Sequence, residues 1–465
     1  MSVTLLFSAL LVGLILCLAF EEKIHAKKSV IAGVFAIVGL LLANALHLYE
    51  YVDHKFLIKL PPLDSAGGHT VELPVYIPAI DWGVIALIFG ASLFIDITSK
   101  SGLFTWIAIK LTKASKGDPR KLLWFYGLMT VVFSAVLNNV TAMIIVGSLT
   151  GVSLKKLGRA NLLLGFLLTE GLLTNIGGLL TLISSVPNII VGNAAGISFV
   201  TFFIKSAPFV FVATIATILL GAKLFGIKKL VSAEEKTEAA LLVKGFDEND
   251  GIESTGFFWF GTAMLVLFIA TIATTSILPV IQDLGMGFVA IAFAAVMLIR
   301  YKSTADQFYR ALDWDLLGFF AALFVVINVM EHAQVLDLIG QGLAKIIGMD
   351  QSIGQGAGTG ALLVFAAGFS SVTDNIPLSA MLAKILQAQG TPADSPLWWS
   401  VVFGANLGGN LTPIGSASTL VAVTIIHKNG LAMSFARFVK LAIPFAAMQI
   451  ALATVYVLLL LPLIG

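Results

Sequence analysis

Residues 122–159 read LLWFYGLMTVVFSAVLNNVTAMIIVGSLTGVSLKKLGR, an apolar run with Asn138-Asn139 at its centre and Lys155-Lys156-Leu157-Gly158-Arg159 at its end. One crossing needs only ~20 residues, at 1.5 Å each, to pass ~30 Å of hydrocarbon. A straight passage would also set the closing basic cluster across the membrane from the basic stretch before it, Lys100, Lys110, Lys113, Lys116, Arg120 and Lys121. Cytoplasmic loops hold the excess of Lys and Arg. A helical hairpin that enters and returns on one side, with the Asn pair at its tip, resolves both conflicts. Its legs of ~16 residues would reach only ~24 Å, which suits a re-entrant segment.

The rest of the chain asks for the same solvent. Its 465 residues are 58% apolar and 12% charged, with a mean hydropathy of +0.98. Soluble domains carry roughly 45–50% apolar and about 25% charged residues. A soluble enzyme, a nucleic-acid binder and a disordered chain are excluded, leaving an all-α polytopic membrane protein with the lipid bilayer as its partner. The net charge of +2 points to no further partner, and the single Cys17 rules out an internal disulfide or a cysteine metal site. The run 3–20 has no Lys or Arg before it and no small-residue cleavage pattern after it, so it reads as a retained helix and not a signal peptide.

Further apolar stretches fall at 29–47, 82–98, 160–193, 198–222, 256–274, 285–299, 315–330, 356–389, 397–426 and 435–464. With the N-terminus outside, 160–193 and 397–426 are single broken helices and 356–389 is a second hairpin, entered from outside. Both termini then lie outside the cell and the segment 228–255 lies in the cytoplasm. This arrangement puts 23 Lys and Arg inside and five outside, as the positive-inside rule requires.

The chain also repeats itself. Asp81-Trp82 returns as Asp313-Trp314, Asn138-Asn139 as Asp374-Asn375, Asn175-Ile176-Gly177-Gly178 as Asn406-Leu407-Gly408-Gly409, and Thr181 as Thr412. Each half holds five crossings and one hairpin. Five is odd, so two inverted repeats are expected, 1–227 and 256–465, joined by the charged linker 228–255. Inverted repeats with broken helices meeting at the midplane are the architecture of secondary transporters.

Backbone that leaves the helix inside a membrane is tolerated where protein or a water-filled cavity satisfies it. Polar clusters mark the four expected breaks. They supply the candidate site residues: Asn138, Asn139 and Thr141; Asn175, Thr181, Ser184, Ser185 and Asn188; Ser371, Thr373, Asp374 and Asn375; and Asn406, Asn410, Thr412, Ser416 and Ser418. Amides and hydroxyls can coordinate a dehydrated Na+ or hydrogen-bond an oxyanion, and half-helix N-termini favour anions. The same residue types also serve as helix-packing contacts.

Mid-span carboxylates cost roughly 2.5–3.5 kcal/mol on insertion scales and need a partner or a task. Asp374, at a hairpin tip, is the leading candidate to carry the coupling cation or proton. Its other reading is a turn cap. Glu170 in the first broken helix is either a second coupling group or a buried hydrogen-bonding group. Asp96 stands four residues from Lys100, and that spacing favours a structural ion pair. Glu331 and His332 read as solvated at the outer boundary. No histidine pair has metal-ligand spacing, so no cofactor and no metal beyond transported Na+ is expected. Gly354, Gly356, Gly358 and Gly360 follow no strand and precede no Gly-Lys-Ser/Thr, so a phosphate-binding loop is excluded. Neither Gly-x-Ser-x-Gly nor His-Glu-x-x-His occurs, which argues against a membrane hydrolase.

At Leu137-Asn-Asn-Val-Thr141, Asn175-Ile-Gly-Gly178, Val186-Pro-Asn-Ile-Ile190, Ser371-Val-Thr-Asp-Asn-Ile-Pro377 and Asn406-Leu-Gly-Gly-Asn-Leu-Thr-Pro-Ile-Gly415 the sequence resembles the ion transporter superfamily. The similar branch holds arsenite permeases, NhaD-type sodium/proton antiporters and P-protein-like carriers with a citrate-transporter-like domain. The resemblance implies a homodimer in the cell (inner) membrane, in which scaffold helices hold a mobile unit that moves by an elevator-type motion. It also implies that the two hairpin tips and two broken helices form one central site. Many relatives carry Asp where Asn138 stands, and a Gly-Asp-Pro-Pro-Asn-type run in place of Ser184-Ser-Val-Pro-Asn188. The expected function is secondary active transport of a small anion, an arsenite-like oxyanion or a carboxylate, coupled to Na+ or H+. The alternative is a Na+/H+ antiporter, in which Asp374 with Glu170 would titrate. An ion channel is a further alternative, which stoichiometric coupling to an ion gradient would exclude.

Overall fold

The computed structural model describes residues 3–49, 51–52, 55–60, 71–349, 354, 356–373 and 375–464. Among them, eight helices are long and apolar enough to cross a membrane: Lys28–Ala45, Trp82–Ser99, Ala160–Gly177, Phe199–Leu224, Thr255–Thr274, Ile281–Tyr301, Trp314–His332 and Phe435–Leu463. Val3–Ala19 is a shorter apolar helix. The one sheet among the described residues is a small antiparallel ribbon of Tyr51–Val52, Lys55–Leu60 and Val71–Pro74. It lies in a loop between spans, where hydropathy carries no signal for it.

The repeated Asp-Trp pair does the same local work twice. Asp81 accepts from the Val84 amide at 3.1 Å and starts Trp82–Ser99, while Asp313 accepts from the Leu316 amide at 2.9 Å and starts Trp314–His332. Each side chain satisfies one of the orphan amides at a helix start. Each following indole turns back to a carbonyl, Trp82 to Ile77 at 3.0 Å and Trp314 to Tyr309 at 2.7 Å.

These two helices pair across the halves. Ile281–Leu298 lies along Trp82–Ser99, with Gly287 against Gly83 and Gly90 against Ala290, so the two run parallel. Trp314–His332 runs parallel to Lys28–Ala45, with Ser29 bonded to Asp315 at 2.5 Å and Gly39 against Val329. Trp82–Ser99 leads at one end of the bundle into the amphipathic helix Leu103–Ser115. Trp314–His332 leads at the other end into Val335–Ile347, also 13 residues long.

Each amphipathic helix carries a hairpin. The first is Pro119–Val136 and Asn139–Lys156, joined through Leu137-Asn138, with legs of 18 residues each. Both of its feet rest on the linker. Asp118 accepts from the Leu230 amide at 3.0 Å, and Lys156 donates to the Gly245 carbonyl at 2.5 Å while lying over the Phe246 ring. The chain therefore returns to the side it left. The second hairpin, Ala357–Ser370 and Asn375–Ala388, stands on Val335–Ile347, where Gln389 just beyond it donates to the Gly340 carbonyl at 3.1 Å.

The linker is ordered and docked where its composition reads only as solvated. It folds as the helix Ala233–Lys244, and Glu248 then reaches back to both Lys113 and Lys110 on Leu103–Ser115. Lys113, and then Lys110, hold the Glu248 carboxyl down at about 2. A lowered value means the clasp is fully engaged above the unfolded carboxylate value of about 4.3 and is lost as pH falls through the folded value. An exposed pair adds little to global stability, so the readout is local. Lys113→Ala is expected to speed proteolytic cleavage within 245–255 at neutral pH, bringing it to the rate wild type shows only in strong acid. Unchanged cleavage would mean that the clasp does not hold the linker.

Candidate functional site

The first broken helix runs Leu163–Gly177, opens, and resumes as Val186–Ala195; the second runs Pro396–Gly408 and resumes as Ala417–Lys428. Side chains fold each break back on itself, and in the first Ser184 lies 2.7 and 2.8 Å from the same carbonyls that Asn188 reaches. Asn188 donates to the carbonyls of Gly178 and Thr181 at 2.6 and 3.0 Å. Thr419 holds the second break from the same place, 2.7 Å from Ser416 O and 3.1 Å from Pro413 O.

Hydroxyls then fasten each hairpin to its broken helix. Ser134 lies 2.6 Å from Thr174 O, and Thr181 donates to Ala135 O at 2.6 Å. In the second half, Ser370 donates to Ala405 O and Thr412 to Ser371 O, both at 2.6 Å. One carbonyl at the end of each of the four inward-running helices is thereby satisfied.

Between the halves the contacts are reciprocal. Ser185 donates to Asn406 Oδ1 at 2.7 Å, and Ser416 donates to Asn175 Oδ1 at 3.0 Å. Asn406 donates on to Asn188 at 2.9 Å, while Ser418 adds to Asn175 at 3.1 Å. At the first hairpin tip, Asn138 caps Thr141 N at 2.7 Å and Asn139 donates to Asn175 Oδ1 at 3.2 Å. Asn175 passes the line on to Asn410 at 2.8 Å, Asn410 to Gln449 at 2.8 Å, and Gln449 to Thr217 at 3.0 Å.

A cavity of about 380 Å³ lies against this network. Of the expected site residues it brings together Asn138, Asn139, Thr141, Ser184, Ser185, Asn375, Ser416 and Ser418. Asn175, Thr181, Asn188, Ser371, Thr373, Asn406, Asn410 and Thr412 do not line it; all but Thr373 are buried. Among the described residues Thr373 bonds back to its own helix end, at Phe369 O. Asp374 lies outside the described residues.

Four helices begin at the cavity: Asn139–Lys156, Val186–Ala195, Asn375–Ala388 and Ala417–Lys428. A helix start carries roughly half a positive charge, so the four bring on the order of +2 to one space. No Lys, Arg or His is among the lining residues.

The structure also places two other carboxylates, Glu170 in the buried, hydrogen-bonded setting that was one of its two sequence readings. Asp96 makes no ion pair with Lys100 among the described ion pairs. The stripe Ile88, Ser92 and Asp96, spaced by four, instead faces the cavity. Glu170 is fully buried but does not line the cavity; Thr150 donates to its Oε1 at 2.7 Å. Sequence reasoning missed Thr217, Thr150 and Gln449. For Gln449 a signal was present, a lone amide within the apolar run 435–464.

Helical hairpins and broken helices that bring amides and hydroxyls to one cavity inside an apolar bundle define a polytopic membrane transporter. The family model of the citrate transporters, CitMHS, matches residues 15–404, and the chain belongs to that family. It is 30% identical over 384 residues to the uncharacterized transporter Rv2684 of Mycobacterium tuberculosis, covering 81% of this chain and 86% of that one. It is 25% identical to the mouse P protein, with 94% of this chain matched and 60% of the longer P protein spanned. Among solved structures, the YdaH transporter of Alcanivorax borkumensis superposes with a TM-score of 0.61 at 13% identity, covering 93% of this chain and 98% of that one. That likeness concerns the fold alone.

Proposed function

We propose that the chain is a secondary active transporter that carries a small anion, an oxyanion or a carboxylate, through the central cavity, coupled to Na+ or H+. The observation that carries this reading is the convergence of four helix N-termini on a space free of basic side chains. One carbonyl at each opposing helix end is already taken by Ser134, Thr181, Ser370 or Thr412. Preorganised positive dipoles with hydroxyls and amides bind an oxyanion without a fixed cation. Asp374, beside Thr373 and Asn375 at the second tip, is the proposed carrier of the coupling ion.

The matched hydrogen bonds and the hairpin feet at opposite ends support two inverted repeats, 1–227 and 256–465, with 228–255 in the cytoplasm and both termini outside. In this reading the hairpins and broken helices form the unit that moves, elevator-fashion, against the paired scaffold helices of a homodimer in the inner membrane.

Reconstituted full-length protein tests the reading with labelled citrate and arsenite under imposed gradients. A tenfold Na+ or H+ gradient stores about 1.4 kcal/mol and supports about tenfold accumulation at one-to-one coupling. Accumulation that survives dissipation of both gradients sinks coupled anion transport. A second reading, Na+/H+ exchange, is favoured by Asp96 on the cavity wall. Its signature is proton release on a Na+ pulse with neither anion present.

A further inference from the structure

The central cavity is lopsided between the two ends of the bundle. Toward the linker end it is lined by Phe308, Ala311, Leu312 and Asp313. Tyr301 fixes that end, because its ring packs on both Phe308 and Phe257, and Phe257 lies just past the linker. At the other end, where Asp81 starts Trp82–Ser99, no described residue before Leu87 lines the cavity. The space reaches toward the linker face and stops short of the opposite one.

One contact spans the closed end. Asp81 caps its own helix through Oδ1, and its Oδ2 takes the Asn193 amide at 2.6 Å. Asn193 stands on Val186–Ala195, one turn beyond Ile189 and two beyond Val186, and both of those line the cavity. The amide therefore lies on the cavity-facing stripe, further out along the broken helix. The bond ties the end of that helix to the start of a scaffold helix.

The repeat sets the same parts at the linker end and leaves them apart. Asp313 answers to Asp81, and Thr424 answers to Asn193 at the spacing that relates Ser185 to Ser416. Thr424 is exposed, two turns beyond the cavity-lining Ala417 on Ala417–Lys428. That helix runs to the linker end, where Asn429 lies beside Gly151 on the returning leg of the first hairpin. Asp313 accepts from the Leu316 amide at 2.9 Å and Thr424 donates to Leu420 O at 3.0 Å, each within its own helix. No hydrogen bond joins the two among the described residues. An amide and a hydroxyl both donate to a carboxylate, so either pair can make the same kind of bond.

We propose that Asp81–Asn193 and Asp313–Thr424 are alternating latches. The first holds the cavity shut at the Asp81 end in this structure. The second forms in its place when the hairpins and broken helices shift along the membrane normal and the linker end closes. One moving unit carries both Asn193 and Thr424, and one scaffold carries both aspartates, so the shift that brings Thr424 to Asp313 draws Asn193 off Asp81. This deepens the transport reading and rests on its moving unit, but its test needs no substrate.

The single cysteine makes a clean reporter possible. In a Cys17→Ser background, Ser92→Cys on the cavity wall is labelled in the full-length protein in lipid vesicles, with a membrane-impermeant maleimide applied to each face in turn. Labelling is expected to be fast from the linker face and slow from the opposite one. Asn193→Ala leaves the Asp81 helix cap intact and is expected to speed labelling from the opposite face about two- to tenfold, the population shift set by one net hydrogen bond. Thr424→Ala is expected to slow it by a similar factor. Both side chains are exposed, so neither change empties a core. An unchanged rate in Asn193→Ala overturns the first latch, and an unchanged rate in Thr424→Ala overturns the exchange. Equal labelling of the parent from both faces overturns the closed end. Failure of citrate or arsenite uptake, by contrast, bears only on the transport reading.

Discussion

Asn175→Ala is expected to abolish uptake and to cost on the order of 2–4 kcal/mol of stability, because buried groups left without partners cost ~1–3 kcal/mol each. Asn175 Oδ1 is approached by Asn139 Nδ2, Ser416 Oγ and Ser418 Oγ at 3.2, 3.0 and 3.1 Å, and its own amide holds Asn410 at 2.8 Å. The first hairpin tip and the second broken helix are therefore joined through one side chain. Ser416 and Ser418 can turn to each other at 2.9 Å, which softens the loss; Asn139 and Asn410 lose a partner outright. Asn406→Ala should behave alike, since Ser185 and Asn188 converge on it from the first half. Thermal unfolding in detergent, read beside uptake in vesicles, decides the matter. An Asn175→Ala protein with wild-type melting and wild-type uptake would show that this junction holds nothing.

Gly177→Ala and Gly408→Ala are expected to destabilise despite a gain in helix propensity. Glycine in a helix interior ordinarily costs ~1 kcal/mol against alanine, so a free site would improve. At Gly177 an added Cβ would stand 2.6 Å from Val131 O and 2.7 Å from Val131 Cα. At Gly408 it would press on Ala367 O and lie 2.7 Å from Ala367 Cα. Both obstacles are backbone of the hairpin helix, which cannot rotate away, and overpacking of this kind costs about 1–3 kcal/mol or more. Seating of each hairpin on its broken helix should fail equally in the two halves, with uptake lost. Gly368, with nothing within 4 Å of an added Cβ, is the internal control; Gly368→Ala should melt at or above the wild-type temperature. If all three variants melt alike, close backbone approach is not what these glycines serve.

The spans, the two hairpins with Asn138 and Asn375 at their tips, and the breaks after Gly177 and Gly408 were all legible, because each is written in a local property. Apolar length sets a crossing, Asp81 and Asp313 start helices through their own next turns, and a polar cluster in an apolar run marks where the helix opens. The docked linker was not legible. Glu248 reads as one charge among many until Lys110 and Lys113, more than 130 residues earlier, are brought beneath it. Where Asp96 and Glu170 stand relative to the cavity was not legible for the same reason. Spacing along the chain sets Asp96 four residues from Lys100 and leaves Glu170 either a coupling group or a buried hydrogen-bonding group; the rotation of each helix within the bundle turned Asp96 to the cavity and Glu170 away from it.

By itself, then, the sequence determined the solvent, the apolar runs and the residue types at their breaks, since hydropathy, charge and turn chemistry act over a few neighbouring residues. Only the tertiary structure decided that Ser185 meets Asn406 while Ser416 meets Asn175, that four helix starts share one cavity, and that a lone carboxyl is sealed outside it. Such contacts join residues more than 200 positions apart, and they depend on the packing of whole helices, which fixes distance and direction together.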